Sequence, residues 1–133
     1  MSAPSYIHLR LHTEYSLSDG ILRIKDLCRA AAEYFMPAVA ITDLGNLFGM
    51  VKFYKEARKF GIKPIIGCDI WVTNQRERER PSRVLLLVQN RKGYLKLCEW
   101  VSRAHLNNQN EGRPEVDKEW FVETNLLSGA LTG

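Results

Sequence analysis

The stretch "MPAVAITDLGNLFGMVKFYKEARKFGIKPIIGCDIWV", residues 36–72, decides the fold. "AVAIT" at 38–42 is a short unbroken apolar run closed by Asp43, the pattern of a strand buried on both faces. Leu47, Met50, Val51, Tyr54 and Ala57 then recur at helical spacing, Lys52, Lys55, Glu56, Arg58 and Lys59 supply a solvated side, and Gly61 is placed to end the helix. "KPIIGCDIWVT" follows as a second strand. A strand, a helix and a strand in this order make an α/β fold.

Working outward, Tyr6 to Leu11 alternates like a half-buried strand, and Asp19-Gly20 closes a polar loop. Ile24, Leu27, Cys28, Ala31, Ala32 and Phe35 predict an amphipathic helix that stops just before Met36-Pro37. Downstream, the charged loop "NQRERERPS" leads into the strand "RVLLLVQ". A helix from about Lys92 is expected to bury Tyr94, Leu97, Cys98 and Val101. "NNQNEGRPE" reads as a loop, "DKEWFVE" as a short helix and "LLSGALTG" as a strand. The order predicts a mainly parallel sheet or barrel. The strand-like finish at Leu131-Thr132-Gly133 has no polar tail, so a piece of something larger is expected.

The bulk numbers fit one soluble domain: 133 residues, 45% hydrophobic, 26% charged. A net charge of +4 permits a DNA-related role without indicating one. Cys28, Cys68 and Cys98 are widely spaced in apolar contexts and read as reduced thiols, and no apolar run approaches a bilayer span. A cytoplasmic location is expected.

The predicted strand ends carry His12, Asp43 and Asp69, with Asp19 in a nearby loop. Imidazole and carboxylates on one rim are the material of a hydrolytic Zn²⁺ or Mn²⁺ site. Singly, each is more often a cap or turn group: Asp19 before Gly20 suits a turn and Asp43 a cap. His105 reads as structural and the Arg76–Arg80 run as a solvated loop. Trp71, Trp100 and Trp120 read as packing residues. Phe48, Phe53 and Tyr54 fit a helix buried on two sides better than base stacking, which needs exposed rings beside basic residues. There is no Gly-rich phosphate loop, serine triad or CxxC pair. What stands out is Arg10, which alternates with His8 and His12 so that a guanidinium shares a strand face with two imidazoles.

"HLRLHTEYSLSDG", the stretch quoted at the outset and "LLLVQNRKGYLKLCEWVSRA" closely resemble the N-terminal PHP (polymerase and histidinol phosphatase) domain of bacterial replicative C-family polymerases, the DNA polymerase III alpha subunits. The resemblance runs to about Ala104 and resumes at "LLSGALTG". It implies a distorted (β/α)7 barrel, of which residues 1–133 are the N-terminal portion, about the first half. Metal-bearing members place a His-x-His pair at the first strand, a His after the second strand's Thr-Asp, and a Glu in the Gly-x-Glu of the third. Here those positions hold Arg10 and His12, Leu44 in "TDLGN" and Asp69 in "GCD", while Asp19 in "SDG" matches the family's loop carboxylate.

A guanidinium has no lone pair to offer a metal and its charge repels M²⁺, and Leu44 offers no donor. The resemblance therefore implies a vestigial site with no metal and no catalytic residue in this portion. Arg10 is expected where the metal would lie, paired with Asp19, Asp69 or both. It further implies a non-catalytic scaffold for a DNA-synthesising chain that uses magnesium elsewhere, with the proofreading exonuclease subunit, other replicase subunits and, through the longer chain, DNA as partners. The alternative is a metal-dependent phosphoesterase or 3'-5' proofreading nuclease. A stand-alone histidinol-phosphatase-like enzyme fits less well, since this chain is too short. Half a barrel also leaves open strand edges, so self-association is expected.

Overall fold

A computed structural model describes residues 6–16, 20–123 and 131–132. Helix α1 (Ile24–Glu33) precedes strand β1 (Ala38–Ile41), helix α2 (Met50–Lys59) and strand β2 (Lys63–Val72). Strand β3 (Ser82–Val88) and helix α3 (Arg91–Asn107) follow, then β4 (Gln109–Asn110), β5 (Arg113–Val116), α4 (Lys118–Glu123) and β6 (Leu131–Thr132). No described helix is long and apolar enough to cross a membrane.

Strand β2 organises the sheet. It pairs in parallel with β1, from Ala38↔Lys63 to Ile41↔Ile66, and at its far end with β5 through Trp71↔Glu115 and Val72↔Val116. Its other edge pairs antiparallel with β3, from Gly67↔Leu87 to Val72↔Ser82, and β3 pairs antiparallel with β6. The sheet is mixed, then, where the sequence predicts mainly parallel pairing: the charged loop after β2 returns the chain as a hairpin, whereas the βαβ unit 38–72 is parallel as expected. Gly67 sits where β2 acquires its second partner, and a Cβ there would stand 2.4 Å from the Leu86 carbonyl oxygen. Only glycine lets β3 come so close.

Side chains alternate along β2, so Cys68, Ile70 and Val72 enter one core with Leu86, Leu97, Trp100, Ala104, Val116 and Trp120. A second core joins α1 and α2 to β1 through Ile24, Leu27, Cys28, Val39, Ile41, Phe53 and Ala57. Asp69 faces away from the first core. Burial holds both thiols protonated, pushing Cys28 up to about 11 with help from Glu56, and Cys68 up to about 12 with Asp69 and Asp43 adding to the effect.

Several expectations are corrected here. Residues 6–11 form no regular strand, although the segment runs beside β1: the Ala40 and Thr42 amides donate to the His8 and Leu11 carbonyls. Helix α1 ends at Glu33, and Phe35, at φ 55°, is turned out to solvent. Helix α2 is buried on one side only, through Phe53 and Ala57, leaving Phe48, Val51 and Tyr54 exposed. Helix α3, capped by the Asn90 side chain accepting from the Gly93 amide at 3.0 Å, buries Leu97, Trp100 and Ala104, with Tyr94, Cys98 and Val101 at the margin. Residues 109–116 make a β4–β5 hairpin instead of a loop, turning at Glu111 and Gly112, both at positive φ. The stretch "LLSGALTG" is described only at Leu131–Thr132, a strand; its other residues lie outside the described ones.

Candidate functional site

The site is built where the segment 6–16 crosses the ends of β1 and β2. Thr42, one residue beyond β1, fixes Leu11: its hydroxyl accepts from the Leu11 amide at 2.7 Å, and its own amide donates to the Leu11 carbonyl at 2.9 Å. Asp43 fixes Thr13, accepting from both its amide and, at 2.8 Å, its hydroxyl. His12 is thus held between two anchored neighbours. The chain then turns, with the Ser16 amide on the Thr13 carbonyl, and the Ser16 hydroxyl accepts from the Leu44 amide at 2.9 Å.

Asp69 lies at the centre, fully buried. Its backbone continues the parallel pairing, since its amide donates to the Asp43 carbonyl and its carbonyl accepts from Gly45 at 2.8 Å. Its carboxylate takes its side-chain partners among the described residues on one oxygen. Arg10 brings Nε to 2.8 Å and Nη2 to 2.7 Å of Oδ2, Arg83 brings Nη2 to 2.9 Å, and His12 Nε2 lies 2.9 Å away. Arg83 Nη2 also lies 3.5 Å from His12 Nε2. The second oxygen, Oδ1, is buried with no hydrogen-bond partner among the described residues. Charge-assisted contacts of this length are the strong class of hydrogen bond, and two guanidinium groups on one carboxylate compensate its desolvation.

The residues singled out in the sequence separate into three groups. Arg10, His12 and Asp69 come together. Leu44 is buried beside them through the isolated bridge Leu44↔Asp69, and contributes backbone only. Asp43 adjoins but faces Thr13 as a structural acceptor, and Asp19 lies outside the described residues. His105 is remote in role, its Nε2 2.8 Å from the Gly45 carbonyl. Arg83 was not anticipated. The β2–β3 register puts it opposite Trp71, on the sheet face of Asp69 and one step along the strand, and its signal is a lone cation opening an otherwise apolar strand, "SRVLLLV".

Comparison with known proteins places these features in a lineage. The PHP domain family matches residues 8–132. The DNA polymerase III subunit alpha of Pseudomonas fluorescens is 47% identical over 133 residues, covering 97% of this chain and 11% of that protein. Its counterpart in Pseudomonas aeruginosa is 48% identical over 119 residues, covering 90% and 10%, and that of Escherichia coli K12 39% identical over 137 residues, covering 100% and 12%. The chain spans about a tenth of the length of these curated relatives. Among solved structures, a putative metal-dependent phosphoesterase from Bifidobacterium adolescentis superposes with a TM-score of 0.59 at 16% identity, covering 78% of this chain and 35% of that one. An amidohydrolase from Chromobacterium violaceum with bound sulfate and no metal gives 0.60 at 21%, covering 74% and 33%. These two likenesses show the fold: α/β, with a partial PHP-like barrel.

Proposed function

The chain belongs to the PHP domain family, and on that premise we propose that it is the N-terminal portion of a bacterial DNA polymerase III alpha subunit, serving there as a non-catalytic scaffold. In this reading the longer chain synthesises DNA in the cytoplasm with magnesium bound in later domains. The PHP portion supports the polymerase core and docks the proofreading exonuclease subunit, alongside other replicase partners. The names of the relatives support the polymerase; one geometric observation supports the scaffold. Oδ2 of Asp69, at the position where the family resemblance puts a metal ligand, carries Arg10, Arg83 and His12 together.

The residues present do not fit a divalent ion. Two guanidinium charges occupy the ground a cation would need, the neighbouring position is Leu44, and no three His, Cys, Asp or Glu side chains converge as a ligand set among the described residues. The phosphoesterase or nuclease alternative has only the fold likeness behind it.

The test is metal content after exposure to Zn²⁺ and Mn²⁺ and exhaustive washing, for the wild type and for a variant carrying Arg10→His, Leu44→His and Arg83→Ala. The expected result is no retained metal in the wild type and uptake by the variant. Stoichiometric metal in the wild type would overturn the scaffold reading and reinstate the hydrolase. For the chain by itself we also propose self-association, because β4 and β6 stand at the ends of the strand order with one partner each among the described strands.

A further inference from the structure

From the outer face of α2 we infer a surface that binds single-stranded nucleic acid, an activity that goes beyond the scaffold reading and does not rest on it. Base stacking needs exposed rings beside basic residues, and the structure supplies that combination where the sequence pattern predicts a helix covered on both sides. Phe53 and Ala57 take the inner face of α2 into the core. Phe48, just before the helix, is 73% exposed, and Tyr54 is 43% exposed. Lys52, Lys55, Arg58 and Lys59, on the same helix, are all exposed.

Two rings of this face already meet cations. The Arg58 guanidinium lies 5.6 Å from the centroid of the Tyr54 ring and donates to its hydroxyl at 3.0 Å. Lys52 lies 5.6 Å from the centroid of Tyr15, itself partly exposed. Among the described residues, two carboxylates pair with these four cations, Glu14 with Lys52 and Glu56 with Lys59. Lys55 and Arg58 therefore remain to meet phosphates, with Phe48 and Tyr54 at hand for bases. The helix extends about 15 Å, room for a short run of nucleotides. An unstacked strand offers both a π-face and a phosphate at each step, and this pairing of rings with cations answers both, whereas an acidic peptide would use the cations and leave the rings unexplained.

The test is fluorescence anisotropy of fluorescein-labelled (dT)20 titrated with the chain up to roughly 100 µM in low salt, the range of non-specific binding. We expect saturable binding whose log K falls by roughly 1.4 per tenfold rise in salt, as about two phosphate contacts on a single strand give. Lys55→Glu with Arg58→Glu is expected to weaken it by about tenfold and flatten the salt slope. Phe48→Ala with Tyr54→Ala is expected to weaken it by about fivefold or more while leaving the salt slope in place. All four positions are exposed, and circular dichroism checks that each variant keeps its helices. Absence of binding in low salt overturns the inference, as does affinity unmoved by either pair. Equal competition by poly-glutamate would assign the face to an acidic protein instead. Loss of binding only in Arg76→Glu with Arg78→Glu would move it to the charged loop, and each of these also overturns it.

Discussion

Asp69 is buried while Arg10 and Arg83 keep side chains 52% and 38% exposed, so the two sides of this cluster respond differently to substitution. Removing the carboxylate lets both guanidinium groups turn into water, where they are well solvated. Removing both arginines strands a charge in the interior with His12 as the remaining side-chain partner among the described residues. Arg10→Ala combined with Arg83→Ala is therefore expected to destabilise by about 3 kcal/mol, and Asp69→Ala by about 1 kcal/mol. Urea midpoints of the variants check this, and the reverse ranking would show that burial of Asp69 is not what the arginines compensate. Three of the four residues of this cluster were legible in the sequence. Alternation along 7–12 put Arg10 and His12 on one side, and the family motif placed Asp69 nearby. Arg83 was not legible, because its position depends on the antiparallel register of β2 with β3, which no residue near Asp69 encodes.

At the scale of elements, helical spacing located α1, α2 and α3 and the buried stripe of α1, Ile24, Leu27, Cys28 and Ala31, but not the buried stripe of α2. In α2, residues 50, 53 and 57 form one apolar stripe and 51 and 54 another, and only packing against β1 and α1 chooses the first. Phe53→Ala is accordingly expected to cost about 3 to 5 kcal/mol by opening a cavity in the second core. Phe48→Ala, on the open side, should stay within about 0.5 kcal/mol. Thermal denaturation of the two variants separates them. The β4–β5 hairpin escaped the sequence reading for a different reason: Glu111 is not among the residues that ordinarily accept positive φ, so Glu-Gly does not advertise the turn as Asn-Gly would. The segment 6–11 shows the converse, an alternating pattern whose pairing is partly replaced by the Thr42 side chain.

For the whole molecule, the βαβ unit was plain in the sequence and the mixed sheet around it was not, since pairing direction follows from how a loop returns. The order β4-β5-β2-β3-β6 leaves two short outer strands, β4 and β6, without second neighbours among the described residues. Sedimentation of the isolated chain is expected to show dimers or larger species that dissociate on dilution, and a compact monomer at all concentrations would refute edge pairing. Between those edges lies β2, which alone joins β1, β3 and β5. Neither core can open along β2 without breaking pairings that belong to the other. The amide protons of Cys68 through Ile70 should therefore leave only when the entire domain comes apart, making this short run a direct gauge of global stability in deuterium exchange.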